Sequence, residues 1–216
     1  MGFEVIVDYK KSCKDIYLPK TEPSLITLPP IAYAAVKGTG DPNTSKAYKE
    51  ALELLYGLLY TIKMSKRSDH SFAGYFDYVV PPLEGLWENG GELNDAIDKH
   101  QFVWVSMIRL PEFIDAQAFD QAVEMLHAKK PKLDVSKLFY KVYEEGLCVH
   151  CMHLGSYDDE PATLAKMNAY LEANGYCTDI NETRWHHEIY LSDPRKCASD
   201  KLKTVIRHPI RSMKAE

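Results

Sequence analysis

Runs of apolar residues cut by glycine and proline divide the chain into alternating strand-like and helix-like stretches. The segment SLITLPPIAYAAVKG is rich in strand-forming residues and is read as a strand ending at Gly38. TGDPNTS follows with turn and cap chemistry, Asn43 or Thr44 serving as the helix N-cap. Tyr48, Ala51, Leu52, Leu55, Leu58, Leu59 and Ile62 then recur at helical spacing and predict one buried stripe. GYFDYVV reads as the next strand, PPLEGLWENGGE as a turn-rich segment, and QFVWVSMIRL as a nearly continuous buried strand. Asp115 is placed to cap a helix over about 115–130 whose Ala116, Phe119, Val123 and Leu126 face inward.

Beyond the linker KKPKLDVSK the same order returns. EGLCVHCMHLG predicts a strand ending at Gly155, and SYDDEPATL a turn with acidic caps and Pro161 in the first helical turn. Leu164, Met167 and Leu171 form the inward stripe, and Asn174-Gly175 closes the helix. RWHHEIYLSD and KLKTVIRHPI supply two further strands. The order β-α-β-β therefore occurs twice, about a hundred residues apart. The predicted fold is α+β: duplicated β-α-β-β modules with pseudo-twofold symmetry and a ligand groove between them, since such junctions favour small-molecule sites. The whole chain, 1–216, is read as a single domain, with modules over about 20–110 and 140–210.

The strand in RWHHEIYLSDPRK raises the first chemical question. Side chains alternate along a strand, so Trp185, Ile189 and Leu191 share one side and His186, Glu188 and Tyr190 the other. A carboxylate at the centre of an aromatic-flanked strand is either solvated or lines a pocket. Glu84 raises a weaker version of the same question, lying three residues before Trp87.

Composition narrows the classes of function. The net charge of −5 over 216 residues offers no basic surface for phosphate, so no nucleic-acid partner is expected. No apolar run is long enough to span a bilayer, so no membrane association is expected. The start lacks a secretory signal, and five cysteines without framework spacing fit reduced thiols in a cytoplasm. Fourteen tyrosines provide flat apolar faces with polar tips.

Cys148, His150, Cys151 and His153 have the residue types of a metal site, but alternation on a strand sends them to opposite faces. His186 and Glu188 could be two ligands, yet no third is visible, so neither metal nor cofactor is expected. Gly38-Thr39-Gly40 lacks the further glycine of a phosphate loop, and Asp41 would repel the anion.

YAAVKGTGDPNTSKAYKEALELLYGLLYTIK, VPPLEGLW and HHEIYLSDPRKCASDKLKTVIRHPI resemble the GyrI-like small-molecule-binding family, especially its stand-alone bacterial members. The likeness runs from about residue 20 to 210. It implies a duplicated β-α-β-β fold, a groove that receives small aromatic or cationic lipophilic molecules, and a central glutamate, here Glu188. Some stand-alone members hydrolyse the cyclopropane of cyclopropanoid alkylating toxins, and the resemblance extends that detoxifying activity to this chain as an expectation. Glu188 is then the base for water and Tyr190 a hydrogen-bond donor, with Trp87, Glu84, Trp104, Tyr143 and His186 as the expected ligand-binding residues. The alternative is non-catalytic sequestration of cationic aromatics through cation–π contacts and one ion pair.

Overall fold

Two consecutive prolines govern how the sheet is assembled. Proline has a fixed φ and no N–H, so Pro29-Pro30 breaks the segment read as a single strand. It becomes β1 (Ser24–Leu28) and β2 (Ile31–Thr39) in the computed structural model, which describes residues 6–67, 71–88 and 101–213. The equivalent break in the second half lies at Glu144 and Glu145, between β5 (Phe139–Tyr143) and β6 (Gly146–Leu154).

Neither break is a hairpin. The favoured two-residue hairpin turns need positive φ, which proline cannot adopt and which no described non-glycine residue shows. Instead β1 pairs with β6 and β2 with β5 in one continuous antiparallel register, Ser24 facing His150 and Ile31 facing Tyr143. Two long broken strands thus lie side by side, and each module's leading strand is bound to the other module.

The remaining strands are β3 (Leu83–Trp87), β4 (Val103–Arg109), β7 (Tyr176–Thr178), β8 (His186–Tyr190) and β9 (Lys203–Ser212). The sheet runs β1-β6-β9-β8-β3-β4-β2-β5, with β7 paired to β9, and every ladder is antiparallel. Read from its centre outward the order is symmetric: β3 mirrors β8, β4 mirrors β9, β2 mirrors β6 and β5 mirrors β1. Strands 147–154 and 184–191, expected in one half, both belong to the second.

The helices are α1 (Tyr9–Ser12), α2 (Lys14–Tyr17), α3 (Lys46–Met64), α4 (Ala116–Lys129) and α5 (Glu160–Asn174). Ser45, rather than Asn43 or Thr44, caps α3 by accepting a hydrogen bond from the Tyr48 amide at 3.3 Å. Its buried stripe of Ala51, Leu55, Leu58, Leu59 and Ile62 packs with Ala34, Val36 and Ile108. Leu164, Met167 and Leu171 of α5 pack with Val149, Cys151, Ile206 and Ile210. By register these sheet residues share one face, so each half carries its helix on the same side. The central strands β3 and β8 lie between the two helices.

GYFDYVV is not a strand. Only Tyr78 forms an isolated bridge, to Val7, and the segment's side chains secure the end of α3. Asp77 receives Lys63 at 3.3 Å and Lys66 at 2.6 Å, while the Tyr78 hydroxyl donates to the Leu59 carbonyl. The strand lies a few residues later, at Leu83–Trp87, within the stretch read as a turn. The rest of that stretch, residues 89–92, lies outside the described residues.

Candidate ligand groove

Central strands β3 and β8 pair with Leu83 opposite Tyr190, Gly85 opposite Glu188 and Trp87 opposite His186. These six residues therefore share the helix-bearing face, and all but Gly85 line a groove of about 1540 Å³ between α3 and α5. Leu52, Tyr56 and Tyr60 of α3, one turn apart, form one wall, and Tyr157, in the turn before α5, and Glu160, its first residue, form the other. The volume exceeds the roughly 300–1,000 Å³ of an ordinary drug-sized pocket, so a multi-ring ligand fits.

The floor is a hydrogen-bonded framework. Trp87 Nε1 donates to the Tyr190 hydroxyl at 3.0 Å, which commits that oxygen as acceptor. Burial, then the Glu188 charge, holds the Tyr190 phenol far above its ordinary pKa, so it remains a donor. His186 Nε2 lies 3.0 Å from Glu188 Oε1, and His186 Nδ1 lies 2.6 Å from His208 Nε2. Gly85 is required here: a Cβ would stand 2.9 Å from Trp87 Nε1 and 3.0 Å from the Tyr190 hydroxyl.

Of the expected site residues, the structure brings Glu188, Tyr190, His186 and Trp87 together. Trp104 shares their face but lies beneath Tyr48, edge-on at 5.0 Å, in the space left by Gly38, where a Cβ would come within 2.3 Å of its ring. It supports the floor and is 1% exposed.

Glu84 and Tyr143 do not join the groove, because both point to the opposite face. Tyr143 packs there with Ile31 and Trp185. Glu84 enters a sealed ion cluster, in which His187 bridges Glu84 Oε2 and Glu145 Oε2, each at 3.0 Å. Arg207 adds a third ion pair to Glu145 at 3.0 Å, and the Tyr17 hydroxyl donates to Glu84 at 3.2 Å. Burial alone would push His187 down, but Glu145 and Glu84 overcome it and raise its pKa to about 9. Burial would likewise raise Glu145, but His187 and Arg207 hold it at about 2.

Sequence reading missed Tyr48, Tyr56, Tyr157, Glu160 and His208. Tyr56 and Tyr60 did carry a signal, recurring four residues apart beside the apolar stripe of α3. Glu160 was hidden by its second role as an acidic first-turn residue of α5. It also completes a triad that the strand alone could not show: ligand atoms of Glu160, His186 and Glu188 lie within 4.8 Å of one another. Two carboxylates and an imidazole at the edge of an aromatic groove are suited to holding positive charge, whether organic or metallic.

Among the described residues no helix is long and apolar enough to cross a membrane. No match to this chain was found among curated proteins. Two crystal structures from Listeria innocua cover 95% of this chain and are themselves covered completely. One is of a hydrolase, at 39% identity and a TM-score of 0.88. The other is of an uncharacterized conserved protein, at 41% identity and 0.89. The EcmrR C-terminal domain shares the fold at 13% identity, with a TM-score of 0.51 over 88% of this chain and 98% of that one. The profile of the GyrI-like small molecule binding domain matches residues 21–211, and the chain belongs to that family.

Proposed function

We propose that the groove binds flat aromatic electrophiles of the cyclopropanoid alkylating class and opens their strained ring with water activated by Glu188. The observation that supports this most is the position of Glu188. Its carboxylate lies at the floor of an aromatic groove, is 12% exposed, and is held by His186. The resemblance of nearly the whole chain to a Listeria hydrolase supports the same reading.

In this scheme the arene lies between Tyr157 and Trp87, above Gly85. Water attacks the cyclopropane methylene as Glu188 takes its proton. The breaking C–C bond delivers its electron pair through the conjugated dienone to the carbonyl oxygen, which becomes a phenolate and then a phenol by protonation. Regained aromaticity drives the step, so modest base catalysis suffices. Tyr190, expected to serve the carbonyl, is instead tied to the indole of Trp87. The donor assigned to the developing phenolate is Tyr157, 38% exposed on the groove wall. Burial, then the Glu188 and Glu160 charges, raises its pKa to about 12 and keeps it protonated.

Incubation with a cyclopropanoid alkylator should yield a product heavier by one water. Glu188→Gln should slow its formation at least a hundredfold while arene affinity stays within about tenfold, roughly 1.4 kcal/mol. The paired carboxylates of Glu160 and Glu188 favour one other reading, sequestration of lipophilic aromatic cations. On that reading wild type yields no product, and Glu188→Gln strongly weakens binding of a cationic dye such as rhodamine 6G.

A further inference from the structure

Behind Glu188 the structure carries a second histidine that neither the resemblance nor the proposed reaction uses. His208 stands directly across the ladder from His186, on the same face, and is 2% exposed. Its Nε2 lies 2.6 Å from His186 Nδ1, and His186 Nε2 lies 3.0 Å from Glu188 Oε1. A line of three side chains therefore runs from the groove into the sheet.

With both rings neutral, two proton arrangements are compatible with these distances. In one, His186 carries its proton on Nδ1 and gives it to His208. That leaves the bare lone pair of His186 Nε2 facing a carboxylate oxygen, which is repulsive. It also makes His208 Nδ1 a protonated donor, and among the described residues that buried atom has no hydrogen-bond partner. A buried N–H without an acceptor is costly. In the other arrangement, His208 Nε2–H donates to His186 Nδ1, and His186 Nε2–H donates to Glu188. Every short contact then has one proton, and the unpartnered atom is a lone pair, the cheaper defect.

We infer that His208 is a positioning residue: its Nε2–H fixes the tautomer of His186, whose own Nε2–H holds Oε1 of Glu188 and leaves Oε2 to face the groove. The arrangement requires a neutral His208. Burial, with the neighbouring His186 adding to it, pushes the His208 pKa well below the ordinary histidine range. The principle is that of any relay in which a buried partner selects the working tautomer of an imidazole. The charge of Glu188 is thereby kept in one orientation whether it meets water or a cation. With Oε1 held, the carboxylate has less rotamer freedom left to lose in a transition state.

The orienting role rests on the reading of Glu188 as the functional carboxylate, but the tautomer does not, and it can be read without a ligand. Two-dimensional ¹⁵N–¹H spectra of the histidine rings in the wild-type protein at pH 7.5 should show His186 and His208 as neutral Nε2–H tautomers. An Nδ1–H tautomer or an imidazolium at His186 would overturn the proposal. His208→Leu, which removes the donor, should release His186 into a mixture of tautomers. His208→Gln, whose amide N–H can reach the same acceptor, should restore the single form. In turnover of a cyclopropanoid substrate, His208→Leu should lower kcat about tenfold with KM within twofold, and His208→Gln should recover most of the loss. A His208→Leu protein that hydrolyses at the wild-type rate also overturns the orienting role. Absence of turnover in wild type would instead remove the hydrolytic reading and leave the tautomer result to stand or fall alone.

Discussion

The run His186-His187-Glu188 faces two ways and meets two fates. His187 and its carboxylate partners, Glu84 and Glu145, are sealed between the sheet and the N-terminal segment. His186 and its partner Glu188 open onto a groove. The residue types are the same, and the positions differ by one step along a strand. Two carboxylates, an imidazolium and a guanidinium balance to zero net charge on the sealed face, and each pair is a direct contact. On the groove face, Glu160 and Glu188 stand beside a wall of phenols. One face uses its ions to hold the halves together; the other presents carboxylates at the edge of a groove.

If the sealed cluster is structural, breaking it should have the largest effect on stability of any change here. Glu145 lies at the break between β5 and β6 and reaches His187 on β8 and Arg207 on β9. Glu145→Gln would leave two buried cations sharing one carboxylate and should cost roughly 3–5 kcal/mol in chemical denaturation. Glu188→Gln, by contrast, should cost no more than about 1 kcal/mol. Equal losses from the two substitutions would erase the contrast between the faces.

The cluster also predicts a pH window. The folded state raises the His187 pKa to about 9, so it binds that proton more tightly than the unfolded chain. The resulting stabilisation is complete below the ordinary histidine value and is lost as pH rises through 9. Glu145 is held at about 2, so its contribution is complete above the ordinary carboxylate range and is lost as pH falls towards 2. Unfolding free energies from urea titrations should therefore form a plateau near pH 5–6 and decline by up to about 3 kcal/mol towards pH 9. A flat profile from pH 6 to 9 would mean that His187 is neutral in the folded protein.

These two faces were unequally legible in the sequence. Alternation along HHEIY separated His186, Glu188 and Tyr190 from their neighbours, and the repeated β-α-β-β order placed a groove between halves. The fate of Glu84 was hidden, because its strand was read as a turn and a strand's face has no meaning until its register is known. Its partner Glu145 stands at a break whose pairing with the other module is a property of the assembled sheet alone. Tyr143 was lost for the same reason, since β5 fell between the linker and the next predicted strand and was read as no element. Glu160 and His208 are close to Glu188 only across the fold, and no local pattern announces such a meeting.

Gly85 offers a milder way to sharpen the comparison, because it touches the groove face alone. An alanine Cβ there would meet Trp87 Nε1 at 2.9 Å and the Tyr190 hydroxyl at 3.0 Å. Both groups belong to the floor's own hydrogen bond, so Gly85→Ala should part them and tilt the indole. Affinity for an aromatic ligand should fall about tenfold, roughly 1.4 kcal/mol, with the His187 plateau unchanged. Undiminished affinity would show that the ligand does not rest on this floor.

The smallest effect is expected from removing metal ions, and the geometry of His186 is the reason. Glu160, His186 and Glu188 could close around a divalent cation, their ligand atoms lying within 4.8 Å of one another. Yet His186 Nε2 is 3.0 Å from Glu188 Oε1, a hydrogen-bond distance with a proton between them. A metal would have to displace that proton and would also bind the carboxylate proposed to activate water. Dialysis against EDTA should therefore change hydrolysis by less than about twofold, and added Zn²⁺ should inhibit, since a ligated carboxylate is a poor base. Activity lost to EDTA and restored by Zn²⁺ would make the triad a metal centre. Glu188 would then be a ligand, and the bound water, not the carboxylate, would carry the reaction.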